Sequence, residues 1–186
     1  MSDQPPPPSP PANPYGAVPY GGQPGMPGTL PWVEARYGRV ADFGSRVVAY
    51  LVDTLVALAP LVLTVIGFVV IGVSSSGSLD SPALTVVGIL LAVGGYVGSI
   101  ALSIWNRVFR AGRTGQSIGK QAQGLVLVDA VTGRPIGTGN AFLRELVNGV
   151  ANSVLWLGSL WMLWDPDKQT LGDKAVHSTV IHVSRT

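Results

Sequence analysis

Asp53 is the only charged residue in the 27 from Val47 to Val73. A carboxylate in such an apolar run must be neutral, paired or in contact with water. Two roles follow: a cation or proton site, or an ion pair that fixes helix packing. Arg46 stands seven residues earlier, almost two helical turns, so both occupy one face with Asp53 about 10 Å further along. Tyr50 lies on that face too and is a hydrogen-bond donor within reach. Arg144 is the candidate partner for Asp53 from elsewhere in the chain.

Other constellations carry less. Gly115-Gln-Ser-Ile-Gly-Lys120 has the look of a phosphate loop, but residue 114 is Thr and Lys120 is followed by Gln121, so the required spacing fails. It reads instead as a basic loop at a membrane surface. His177 and His182 have no third ligand in a fixed pattern. Asp165, Asp167 and Asp173 lack the glycine and terminal glutamate of a calcium loop. With no Cys there is no disulfide or thiolate metal site. No catalytic constellation and no cofactor motif remains, and the expectation is a protein that is not an enzyme.

The elements that must position these residues follow from composition. Of 186 residues, 47% are apolar and 12% charged, against about 25% charged in an ordinary soluble domain. A net charge of +2 is too small to suggest a nucleic-acid partner. Residues 1–31 hold eleven of the fifteen prolines and five glycines, so a disordered tail with polyproline II character is expected, its boundary set at residue 36. Two apolar runs, about 47–73 and 82–105, are each long enough to cross a bilayer. The polar turn 74–81 between them makes an antiparallel transmembrane hairpin. Pro60 is expected to kink the first helix, and Gly94-x-x-x-Gly98, flanked by Gly88, Ala92 and Ser99, offers a small-residue contact surface on the second.

Arg36, Arg39 and Arg46 precede the first span, and Arg107, Arg110, Arg113 and Lys120 follow the second, whereas the turn between carries only Asp80. The positive-inside rule therefore places the tail and residues 106–145 in the cytoplasm of a plasma-membrane protein. Leu125–Asp129 and Thr179–Val183 read as β-strands. Between them, about 140–164, lies a third apolar helix with Arg144, Asn148 and Asn152 as a polar stripe. It is expected to be interfacial or re-entrant rather than spanning, because the two strands can pair only on one side. The fold class is thus a mainly α membrane protein: a helical hairpin, a third membrane-associated helix, a small cytoplasmic β element and a disordered N-terminal tail.

Gly44-Ser-Arg46-Val-Val-Ala-Tyr50-Leu-Val-Asp53, opening an apolar span, resembles the start of the RDD family of bacterial membrane proteins. Gly112-Arg-Thr-Gly-Gln-Ser-Ile-Gly-Lys120 running into Gly124-Leu-Val-Leu-Val-Asp129 is similar to that family's loop and strand. Ala141-Phe-Leu-Arg144-Glu145 resembles its third helix opening. Leu171-Gly-Asp173-Lys-Ala-Val-His-Ser-Thr179-Val resembles its closing motif, with Gly172 where a His is usual. The resemblance covers about 37–183, and the tail ahead of it looks like the actinobacterial proline-rich antigen type. It implies that Arg46, Asp53 and Asp173 are the name-giving positions, a two-span core, and a poorly defined function that includes cation/proton antiport for some members. The resemblance joined to the topology implies an Arg46–Asp173 contact, and exchanging the two charges is expected to rescue loss of Arg46 in part. The expected partners are membrane lipids, with anionic headgroups at the Arg107–Lys120 loop, and another membrane protein or a second copy. A membrane scaffold or partner subunit is the leading expectation, and an oligomeric cation/proton transporter using Asp53 the alternative.

Overall fold

A computed structural model describes residues 25–76, 81–153 and 157–183. Residues 1–24 of the tail, 77–80 of the turn and 154–156 of the third apolar segment lie outside the described residues. Chain order gives α1 (Leu30–Tyr37), α2 (Phe43–Leu58), α3 (Leu61–Ser75) and α4 (Pro82–Ile104). A π-helical turn (Trp105–Arg110), α5 (Ala111–Thr114), α6 (Ile118–Ala122) and β1 (Leu125–Asp129) follow. The chain then forms α7 (Gly137–Asn152), α8 (Leu157–Leu160), a 3-10 turn (Trp161–Leu163), α9 (Leu171–Ala175) and β2 (Ser178–His182).

Two helical stretches, Phe43–Ser75 and Pro82–Thr114, are each long and apolar enough to cross a membrane. The first is broken where Pro60 removes a donor: Ala59 and Val62 make tightened backbone bonds, to the carbonyls of Val56 and Ala59. Ser99 donates its hydroxyl to the Ala57 carbonyl at 2.5 Å, supplying a donor beside the break. α3 and α4 run antiparallel. Ser74 meets Thr85 near the turn, and Thr64 donates to the Ala92 carbonyl deeper in. Their contact is backbone on backbone: a Cβ at Gly67, Gly88 or Gly95 would come within 2.8 Å of a facing main-chain atom. The contact stripe is therefore Gly88, Ala92 and Gly95. Gly94 of the expected Gly94–Gly98 motif faces open space, because 94 and 95 are a hundred degrees apart on the helix.

β1 and β2 pair antiparallel, with Leu127 opposite Val180, and Val40 adds a bridge to Ile181. β1 has the bounds of the expected strand, and β2 lies one residue before its own. Alternation divides their side chains between two cores. Leu125, Leu127 and Val180 pack with Ala49, Val108 and Ala141 of the helices. Val126, Val128 and Ile181 pack under Trp32 and Val33 of α1.

Two expectations need correction. The tail does not extend to residue 36: α1 is ordered because Trp32 and Val33 fill the second core and the Tyr37 hydroxyl donates to the Val131 carbonyl at 2.5 Å. Pro31 sits at its first turn, where a missing donor costs nothing. Nor is 140–164 a single helix. α7 ends at Asn152, and Asn152 bonds both the backbone N–H and the hydroxyl of Ser159, folding α8 back onto it.

Candidate functional site

Two buried carboxylates anchor the helices to the β element. Asp173 is 0% exposed and occupies the third position of α9, where it forms a reciprocal cap with Thr170. Its Oδ2 accepts from Arg46 Nη1 at 2.7 Å and from Thr170 N at 3.1 Å. Its Oδ1 accepts from Arg144 Nε at 2.7 Å and from Ser178 Oγ at 3.1 Å. These four bonds fill the carboxylate. Burial pushes its proton affinity up, but the Arg144 and Arg46 guanidiniums outweigh that and hold the carboxyl well below the usual range. Arg46 spends its remaining donors on the carbonyls of Ala41, Lys168 and Val180. Arg144 also holds Glu145 at 2.8 Å.

Asp53 is 3% exposed on α2. Its Oδ1 accepts from Asn106 Nδ2 and Gly119 N, both at 2.7 Å, and its Oδ2 from Ser117 Oγ at 2.6 Å. Asn106 sits in the π-helical turn, whose extra residue changes which side chains face α2. Its Oδ1 accepts from Ile118 N at 2.9 Å, so one amide bridges Asp53 and α6. Ser117 also caps α6 through Lys120 N. Gly119 is required here, since an added Cβ would collide with the Ala49 carbonyl.

The expected contact between Arg46 and Asp173 is present; the expected one between Arg144 and Asp53 is not. Arg144 turns to Asp173, and Asp53 is held by uncharged donors. The ring of Tyr50 lies 4.4 Å under the Arg107 guanidinium, whose Nη2 donates to Thr54. Asn106, Ser117 and Gly119 are site residues that the sequence patterns do not single out. The Ser-Ile-Gly-Lys spacing carried the only local signal, a capped turn with room for close backbone approach. The polar stripe of α7 is present, but it faces inward. Arg144 binds Asp173, Asn148 accepts from Gly172 N at 2.9 Å, and Asn152 binds Ser159. The opposite stripe, Phe142, Leu146 and Val150, is 57%, 51% and 65% exposed.

Between α2, α6, α7 and α8 lies a cavity of about 500 Å³ bordered by both nodes, including Arg46, Asp53, Arg144 and Lys120. Burial, and next the charge of Arg144, pull the Lys120 ammonium down to about 8.

The profile of the RDD family matches residues 40–177, three quarters of the chain, and takes in both carboxylates and the groups bonded around them except Ser178 and Val180. The chain belongs to the RDD family. It is 36% identical over 87 residues to the proline-rich antigen homolog of Mycobacterium tuberculosis (strain H37Rv), 47% of this chain and 36% of that protein. It is 33% identical over 99 residues to the proline-rich antigen of Mycobacterium leprae, 53% of this chain and 40% of that one. The matched stretch thus spans about two fifths or less of those relatives. No solved structure matches. As a member of a membrane family with two helices long and apolar enough to cross a bilayer, this RDD chain is a membrane protein.

Proposed function

We propose that this RDD protein is a membrane scaffold or partner subunit. Its two spans, α2–α3 and α4 with the π turn, form a hairpin, and the β element caps that hairpin on the cytoplasmic side. The observation that carries this reading is that both buried acids are occupied by the chain's own donors. Asp173 joins α2, α7, α9 and β2, and Asp53 joins α2 to the π turn and α6. Such internally bonded nodes serve rigidity: a cation taking over both oxygens of Asp53 would displace charge-assisted bonds of about 1.5–3 kcal/mol each.

The interfacial placement of α7–α8 rests on three supports. β1 and β2 pair, so the chain between them leaves and returns to one face. The outward stripe of α7 is apolar, as a helix against lipid requires. Trp105, Trp161 and Trp164 are exposed near that end of the hairpin, as in an interfacial aromatic belt. On this reading the Pro-rich tail and the exposed Arg113 after the second span face the same compartment, where a partner can meet them.

Everted vesicles bearing wild type or Asp53→Asn separate this function from the oligomeric cation/proton carrier. The expected result is no cation-driven proton flux above empty vesicles for either form. A wild-type flux that Asp53→Asn abolishes would overturn the scaffold reading.

A further inference from the structure

A half-buried lysine at the edge of a hollow lined by other cations is complementary to an anionic ligand. Lys120 borders the 500 Å³ cavity, yet its ammonium makes no hydrogen bond or ion pair to the described residues. The acids that face it are already engaged. Asp173 of α9 accepts four bonds, Asp53 of α2 accepts three, and Glu145 of α7 is held by Arg144. Four cations border the cavity, Arg46, Arg107, Lys120 and Arg144, against two anions, Asp53 and Glu145; with Asp173 behind the wall one positive charge is still in excess. The Arg107 Nε is likewise buried with no acceptor among the described residues. The rest of the wall is apolar, with Val47 and Leu51 of α2 and Leu160 and Met162 beyond, and it continues into the exposed Val48–Leu51–Leu55 surface of the first span. A cationic hollow opening along a membrane-facing apolar helix is complementary to an amphiphile with an anionic head.

We propose that this cavity seats the phosphate headgroup of one anionic phospholipid, with Lys120 making the direct charge contact and the acyl chains lying along α2. The site rests on the membrane placement proposed above. It moves lipid recognition from the outer basic loop, where Arg113 is exposed, to the interior behind it.

The test uses the full chain purified in a neutral detergent and titrated with phosphatidylglycerol, phosphatidylcholine or glycerol phosphate, with bound copies counted by native mass spectrometry. One phosphatidylglycerol should bind saturably, about tenfold or more tighter than phosphatidylcholine. Lys120→Gln should weaken it about tenfold, Lys120→Arg should keep it within about threefold, and Arg113→Gln should leave it unchanged. Circular dichroism confirms that each variant is folded. Equal binding by Lys120→Gln and wild type would overturn the proposal, and so would an equal loss in Arg113→Gln, which marks diffuse surface attraction. Glycerol phosphate competing as well as phosphatidylglycerol would make the cavity a soluble phosphoester site and overturn the lipid assignment. These outcomes leave the scaffold reading standing, because that reading fails only on vesicle flux.

Discussion

Asp173 accepts four hydrogen bonds, and that number decides what substitution will do at either arginine. In a two-body pair, Arg46→Asp with Asp173→Arg would restore attraction. Here the new guanidinium at 173 would face Arg144 and abandon the cap on Thr170. The double variant is therefore expected to be no more stable than Asp173→Ala, which leaves two buried guanidiniums without their acid and costs about 3–5 kcal/mol. Urea unfolding in detergent, followed by tryptophan fluorescence, measures both; recovery of more than half the loss in the double variant would mean that Arg144 is a bystander. The acid limb of stability has a defined sign. The folded carboxyl sits below its unfolded value, so its contribution is complete above about pH 4 and fades as pH falls further toward the folded value. Asp173→Asn should flatten that limb.

At the scale of elements, close approach is set by residues without side chains. Gly172 lets α9 rest on α7, since a Cβ there would lie 2.5 Å from the Arg144 carbonyl and from the Asn148 amide. The His that the family resemblance implies at this place cannot enter this chain unaided. Gly172→His should lower stability by about 1–3 kcal/mol, and Asn148→Ala in the same chain should return part of it; thermal unfolding of the three variants measures this. A Gly172→His protein as stable as wild type would mean that α9 shifts freely. The sequence made the long-period features legible. The apolar runs, the break at Pro60, both strands to within a residue and the grouping of 144, 148 and 152 on one helix face all follow from period and breaker residues, whereas the inward direction of that face does not. The partners of Asp53 did not follow, because Asn106, Ser117 and Gly119 are 53 to 66 residues away and meet it from a π turn without a sequence period and from the start of α6. The order of α1 also escaped, because burial of Trp32 and Val33 depends on a sheet nearly a hundred residues on.

For the whole molecule, Lys120 ties stability to ligand binding in opposite directions. Without a ligand, burial and the charge of Arg144 favour the neutral amine, against the weaker pull of Glu145, Asp53 and Asp173, and the group loses its proton near 8 instead of 10.5. Between those values the unfolded chain binds more protons than the folded one, so stability rises with pH across that window. Below about 8 the cost of a charged, unpartnered ammonium is present in full. Lys120→Met should therefore unfold at a higher temperature than wild type at pH 7 in phosphatidylcholine nanodiscs, with the gap closing by pH 10. An anionic headgroup reverses the balance by favouring the charged form. In phosphatidylglycerol nanodiscs at pH 7 the wild type should gain and Lys120→Met should not, and the wild-type gain should shrink as pH rises past 8. A wild-type gain that persists unchanged at pH 10 would assign the effect to the arginines of the wall, which keep their charge there. The chain would then hold Lys120 beside the cavity at a cost that no ligand offsets, unlike the Asp53 and Asp173 carboxylates, which the chain's own donors satisfy.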